Sequence, residues 1–260
     1  MIRLGPGGNC DKDLISSIKR LPTLSLSAQE IEFTHGIMMK NELAKKAGEI
    51  AKEQNIALSI HAPYYINLNS EEIEKQKASM QRILTCCERA HYLGADPVVF
   101  HAGYYGKTSK EEAYETIKNR ILEMHDEIKK CGWKTTIAPE IAGKHSSFGS
   151  VEEILRLQKE TGCNACIDFA HLYAREMGKL NYPKLFDKLK PLKHIHAHFS
   201  GIAYTEKGEK NHEIMTEEFF MPLAKEIVKR KSDITIISES PITWKDSLKM
   251  KSVIEKLQTH

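Results

Sequence analysis

Six side chains able to bind a metal each close a short apolar or β-branched run in this chain: His61 (ALSIH), His101 (VVFH), Glu140 (TTIAPE), Asp168 (ACID), His196 (HIH) and Glu239 (TIISE). Imidazole nitrogens and carboxylate oxygens are the donors of zinc and of the harder divalent ions. Several of each, with one carboxylate able to bridge, suit a pair of divalent ions roughly 3.5–4 Å apart, which clamps the attacking and leaving oxygens of a phosphoester displacement. The nucleophile in such a scheme is a metal-bound hydroxide, its pKa lowered towards neutrality. The imidazole content favours zinc, and manganese also accepts this donor set. No Ser-His-Asp or Cys-His pair is needed. A single His or Glu at a strand end is as readily a polar core group satisfied by hydrogen bonds. Glu140, Asp168 and Glu239, however, close otherwise apolar runs, where an unpaired carboxylate is costly to bury and a bound cation removes that cost. His194, His196 and His198 alternate onto one face of a strand, and spacing does not choose among them.

Ligands scattered through a chain need a scaffold that brings strand ends together, and a barrel of parallel strands does so at its C-terminal mouth. Strands are predicted at Ile2–Leu4, Glu30–Thr34, Ala57–His61, Val98–His101, Thr135–Pro139, Ala165–Asp168, His194–His198 and Ile234–Ser238. Helical patterns lie between them. Lys40–Gln54 puts Leu43, Ala47 and Ile50 on one face, and Glu71–Leu93 continues with Ile73, Ile83, Leu84 and Ala90 before Gly94. Thr108 and Ser109 open a helix that runs to Lys130 and stops at Gly132, while Ser150 and Glu153 form a capping box ahead of Ile154 and Leu157. Eight such alternations count out to an α/β fold, a (β/α)8 TIM barrel, in one domain spanning residues 1–260. A doubly wound open sheet is the runner-up. The GPGG at Gly5–Gly8 lacks the dinucleotide-binding spacing and reads as a loop.

Composition narrows the setting. The 260 residues are 41% hydrophobic, enough for one large core. The N-terminal MIRLGPGGNCDKD has no apolar signal-peptide core, and no stretch approaches the roughly 18 apolar residues of a spanning helix. The expectation is a soluble, cytoplasmic protein with no membrane partner and, by default, a monomer. Six cysteines without framework spacing read as reduced thiols, the CxxC of Cys163 and Cys166 included. A net charge of +3 permits a polyanionic partner without demanding one. Lys107, Lys144, Arg175, Lys179, Lys207 and Lys210 all follow predicted strands, on the side of the six candidate ligands.

In order along the chain, HAPYYINL (61–68), VVFHAG (98–103), IAPEIAGK (137–144), CIDFAH (166–171), HAHFSG (196–201) and ISESP (237–241) resemble the strand-end motifs of the endonuclease IV family of apurinic/apyrimidinic endonucleases. The resemblance implies a TIM barrel with a zinc cluster that cuts double-stranded DNA on the 5′ side of an abasic site in base excision repair. Carried over motif by motif, His61, His101 and Glu140 hold the first metal. Glu140 bridges as the catalytic carboxylate to a second metal, held also by Asp168, His196 and Glu239. The resemblance thus picks His196 from the histidine triplet. A third metal in this family uses a His here matched by His171 and an Asp-x-His pair. His212 matches the second His, but Lys210 stands at the Asp position, so that either Glu209 reaches the metal with altered spacing or the Lys ammonium replaces some of the third ion's charge. The expectation is two firmly bound ions with the third weakened or absent. Tyr64 and Tyr65 match the residues that enter the duplex at the lesion. Lys207 and Lys210 are candidate phosphate contacts. The loop Thr34–Met38 lacks the arginine-bearing insertion of bacterial members.

Related sugar isomerases and epimerases build a single-metal site on the same kind of barrel, and Glu140, Asp168, His196 and Glu239 meet their ligand pattern. The added His61 and His101 argue for a second metal and for the nuclease. A noncatalytic binder on a retained barrel is a third reading, opposed by the intact ligand set.

Overall fold

A computed structural model describes residues 1–34 and 36–259, so that His35, in the loop noted above, lies outside the described residues. The apolar runs form strands β1 (Ile2–Pro6), β2 (Ala28–Glu32), β3 (Ala57–His61), β4 (Val98–Phe100), β5 (Ile137–Pro139), β6 (Cys166–Asp168) and β7 (Ile195–Phe199), a hairpin of β8 (Gly201–Thr205) and β9 (Gly208–Glu213), and β10 (Ile234–Ser238). The helices are α1 (Leu14–Arg20), α2 (Asn41–Glu53), α3 (Ile73–Leu93), α4 (Lys110–Lys130), α5 (Val151–Thr161), α6 (Phe169–Arg175), α7 (Tyr182–Leu189), α8 (Glu217–Arg230) and α9 (Thr243–Gln258). No helix among the described residues is long and apolar enough to cross a membrane.

Parallel pairing runs through β2, β3, β4 and β5 and through β6, β7, β10 and β1. Two seams close the circle. Gly8 N donates to Glu30 O at 2.9 Å between β1 and β2, and Ile141 N donates to Cys166 O at 3.1 Å between β5 and β6. The result is the expected TIM barrel. Strand bounds shift by a few residues. Most notably, β2 ends at Glu32, paired with His61, and Thr34 falls in a turn.

Alternation along each strand sorts side chains into two layers. Leu58, Ile60, Phe100, Ile137, Ile167, Ala197 and Ile236 join one large apolar cluster with the helices. The lumen-facing positions between them are different in kind: Val99, Ala138 and Cys166 form a small cluster of their own, and Glu30, Ser59, His196, His198 and Thr235 are buried polar groups. Barrel interiors are normally filled by branched apolar residues. Here acids, imidazoles and hydroxyls share the lumen with a few small apolar residues.

Helix starts follow the sequence signals. Ser109 with Glu112 and Ser150 with Glu153 each close a reciprocal capping box. The β8–β9 hairpin was not foreseen, because its polar residues show no hydrophobic face. All six cysteines are free thiols, five of them buried.

Glycine in a helix ordinarily loses to alanine by about 1 kcal/mol. Gly48 of α2 reverses that preference, since a Cβ there would lie 2.4 Å from the Leu93 carbonyl oxygen at the end of α3. Gly48→Ala is therefore expected to destabilise the barrel by about 1–3 kcal/mol, the usual penalty of overpacking. A denaturant midpoint equal to or above wild type would refute this close-packing account.

Candidate metal centre

Each strand end delivers its residue to one place. His61 closes β3, His101 follows β4, Glu140 follows β5, Asp168 closes β6 and Glu239 follows β10. Glu140 is the hub, with its side chain fully buried. Its Oε2 lies 3.1 Å from His61 Nε2 and 3.3 Å from His101 Nδ1. Its Oε1 lies 3.2 Å from both His171 Nδ1 and His198 Nδ1. Oε2 thus faces His61 and His101 while Oε1 faces His198, the disposition a bridging ligand requires, and the His171 nitrogen near Oε1 is the one that also reaches Ile141 O.

Potential ligand atoms gather into overlapping sets with members within 4.8 Å of one another: His61, His101 and Glu140; Glu140, Asp168, His198 and Glu239; and Asp168, His171, His212 and Glu239. Here the expectation for β7 needs correction. His196 is not in the mouth: it sits one lumen layer deeper, with Nε2 3.0 Å from Glu30 Oε2. The parallel register sets Asp168 opposite His198 and leaves His196 opposite Cys166. Two residues along a strand amount to about 7 Å, so the neighbouring histidines of one face cannot exchange roles. His198 Nδ1 is also 3.2 Å from Glu239 Oε1.

The third set is assembled by α6 and the hairpin. His171 Nε2 stands 3.1 Å from His212 Nε2 and 3.5 Å from Glu209 Oε2. Glu209 and His212 are three residues apart, which strict alternation would place on opposite faces. A register shift at Ala203 and Tyr204 brings both inward. Glu209 thus approaches His171 with the altered spacing that the sequence allowed, and Lys210 is exposed on the hairpin.

Several observations fit these residues to divalent cations. Asp168 spends Oδ1 on the His171 backbone N–H at 2.6 Å, capping α6, while its Oδ2 is buried without a hydrogen-bond partner. His171 Nδ1 donates to Ile141 O and His212 Nδ1 donates to Glu239 O, so the facing Nε2 atoms at 3.1 Å are two bare lone pairs in the neutral rings. Something positive must lie between them. His61 Nδ1 donates to Ala62 O at 2.8 Å, turning Nε2 to the site.

Charge balance points the same way. Burial pushes the Glu140 carboxyl up, but the charges of His101 and His198 and hydrogen bonds from His171 and His198 outweigh it and hold the group well below the usual range. Glu239, also opposed by burial, is held at about 2 chiefly by His198. Burial lifts Asp168 to about 6 against the pull of His171. Burial would lower His61, but the hydrogen bond to Glu140 and the charge of Glu32 raise it to about 10. The carboxylates thus draw positive charge here, as protons on imidazoles or as a cation replacing them.

Two acids of β2 were missed as site residues. Glu30 is completely buried beneath the cluster. Glu32 lines the mouth, and burial raises its carboxyl to about 8. The spacing Glu30–Ile31–Glu32, two acids on one strand face, was the available signal. The open cleft above measures about 460 Å³ and includes Tyr64, Tyr104 and Lys144 in its walls. Tyr64 and Tyr65 are 58% and 43% exposed, stacked edge to face, with Arg82 over the Tyr65 ring at 4.8 Å. Lys207 is exposed near the hairpin turn. Arg175, grouped in sequence with loop charges, is instead a buried staple donating to the carbonyls of Ala142, Lys144 and Ser147.

The sequence profile of the family described as xylose isomerase-like TIM barrel matches residues 24–257. An uncharacterised protein of Methanocaldococcus jannaschii is 35% identical over 260 aligned positions, covering 95% of this chain and 93% of that one. A probable endonuclease 4 of Metamycoplasma arthritidis is 25% identical, covering 80% and 79%. The crystal structure of endonuclease IV from Thermus thermophilus superposes with a TM-score of 0.74 at 18% identity, covering 98% of this chain and 99% of that one. A D-tagatose 3-epimerase-like protein has the same fold, with a TM-score of 0.68 at 20% identity, covering 97% and 96%.

Zinc added to metal-free protein is expected to release protons into a weakly buffered solution and to raise the melting temperature. The stabilisation should approach about 2.7 kcal/mol when free zinc is 100 times its Kd. His198→Ala should lower the number of tightly bound ions by one, whereas His196→Ala should leave that number unchanged. Equal metal loss in the two variants would reject the layer assignment.

Proposed function

The chain belongs to the xylose isomerase-like TIM-barrel family, and from that premise we propose that it is a metal-dependent phosphodiesterase that cuts duplex DNA on the 5′ side of abasic sites, in the manner of endonuclease IV. One observation carries the reading: the two oxygens of Glu140 face different imidazoles, Oε2 those of His61 and His101 and Oε1 that of His198. A single-metal epimerase needs only one set, supplied by Glu140, Asp168, His198 and Glu239. Neither His61 with His101 nor His171 with His212 and Glu209 has employment in that chemistry. The relatives called probable endonuclease 4 support the same choice.

In this reading His61, His101 and Glu140 would hold one zinc ion. Glu140, Asp168, His198 and Glu239 would hold a second, and His171, His212 and Glu209 would supply donors for a third; manganese would suit the same oxygens. Bound there, the ions act as Lewis acids towards phosphoryl oxygen and towards water. The protein's own contribution is placement. Glu140 fixes the spacing between the sets, and Ala62 and Ile141 carbonyls orient His61 and His171. Tyr64 presents an exposed ring at the mouth, positioned to fill the space left by the missing base, with Tyr65 buttressed by Arg82 beside it. Lys207 and Lys210 stand on the hairpin at the rim as phosphate contacts. The reading treats residues 1–260 as one intracellular, monomeric domain.

The test is incision of a labelled duplex carrying one abasic-site analogue by zinc-loaded protein, with chelator-treated protein and undamaged duplex as controls. Chelator-sensitive cutting immediately 5′ to the lesion is expected. Ketose epimerisation by metal-loaded protein that leaves the duplex intact would transfer the assignment to the sugar epimerases. His101→Ala and Glu140→Gln should each lower incision at least about 100-fold while circular dichroism stays that of the folded barrel. Lys207→Ala and Lys210→Ala should each reduce the slope of log affinity against log salt by about 1. An unaltered slope removes that lysine from the DNA contact.

A further inference from the structure

Glu30 belongs to none of the three ligand sets, yet it lies completely buried in the lumen, where a carboxylate must be paired to be tolerated. Its two oxygens have different partners. Oε2 accepts from Ser59 Oγ at 2.6 Å and lies 3.0 Å from His196 Nε2. Oε1 lies 2.8 Å from His198 Nε2. The far side of that same ring is the site side, with Nδ1 3.2 Å from Glu140 Oε1 and from Glu239 Oε1. The His198 ring is therefore suspended between Glu30 below and the ligand carboxylates above.

A neutral imidazole has one N–H and one lone pair, and the nitrogen that keeps the proton cannot ligate. We propose that Glu30 is a positioning residue for the metal centre: its Oε1 accepts the Nε2–H of His198 and leaves Nδ1 as the ligating nitrogen. The inference rests on the metal reading given above. The 2.8 Å contact is an ion-pair approach tilted off the straight hydrogen-bond direction. The terminal ring torsion of histidine is broad, so ring rotation can bring Nε2–H into line with Oε1. Ser59 and His196 hold the other oxygen, which prevents the carboxylate from following the ring. They explain why His196 is present in this lumen although it does not reach the mouth. An anionic acceptor behind an imidazole also raises its basicity as a ligand.

The experiment is a long-range proton–nitrogen NMR correlation of the histidine rings in 15N-labelled wild-type protein, with and without zinc, beside zinc affinities of wild type and Glu30→Gln. With zinc bound, His198 should show a protonated Nε2 and a metal-shifted Nδ1. Glu30→Gln should weaken zinc at the set containing His198 by about 10- to 100-fold and give His198 a mixture of tautomers. Zinc bound through His198 Nε2, or unchanged affinity in a folded Glu30→Gln protein, overturns the role of Glu30 and leaves the metal centre standing. A wild-type protein that takes up no zinc overturns both. Should Glu30→Gln fail to fold, the wild-type spectrum alone decides.

Discussion

The contact on which the rest depends is the fourfold engagement of one buried carboxylate. Glu140 meets imidazoles from β3, the end of β4, α6 and β7, each at 3.1–3.3 Å. A carboxylate offers about four lone-pair directions, and here all of them are directed. Such a hub tolerates little positional error, and its backbone is fixed accordingly: Glu140 N donates to Phe100 O at 3.0 Å, while Ile141 N donates to Cys166 O across the β5–β6 seam. Barrel closure and ligand placement are thus the same set of hydrogen bonds. A register slip at that seam would alter the centre before it altered the outer core.

The lumen shows what this arrangement demands of the remaining residues. The apolar stabilisation of the barrel comes from the layer between strands and helices, where Ile60, Phe100, Ile137 and Ile167 are fully buried. The lumen is stacked with polar groups that approach one another in successive layers. His196, opposite Cys166, pairs with Glu30, and His198, opposite Asp168, reaches both Glu30 and Glu140. Departures from an ordinary apolar interior are expected at functional sites, and here the departure extends at least one layer beneath the ligands. Replacing deep lumen residues is therefore a perturbation of the centre as well as of packing.

What the sequence disclosed and what it concealed follow from the range of the interactions involved. The barrel was legible because strand runs, capping boxes and helical periodicity are local patterns. Five of the six strand-end candidates, His61, His101, Glu140, Asp168 and Glu239, come together at the mouth, and they were legible because each terminates such a run. The choice between His196 and His198 was not, since it depends on pairing between β6 and β7, two strands that one sequence does not align. Glu30 and Glu32 escaped for a related reason: a β2 drawn two residues too far along the chain hid two acids inside a strand. The hairpin left no apolar alternation to read, and although Glu209 was legible as a candidate donor with altered spacing, the irregular register that turns it inward was not.

The third donor set depends on a different kind of support from the other two. The first two sets stand on barrel strands. The third draws Glu209 and His212 from β9, which forms a two-stranded sheet with β8 and is fastened to the loop after β5 by Glu209 N donating to Gly143 O at 3.1 Å. That fastening needs glycine on both sides. A Cβ on Gly208 would lie 2.2 Å from Gly143 O, and one on Gly143 would lie 2.6 Å from the Glu209 Cβ. Gly208 also takes φ +95°, a conformation that side chains with a Cβ rarely adopt. Segments with few buried apolar contacts open locally at lower free energy than core strands. A cation held partly by such a segment would leave more readily than one held by strand ends alone. The three sets therefore share oxygen and imidazole-nitrogen donors but differ in the elements that carry them.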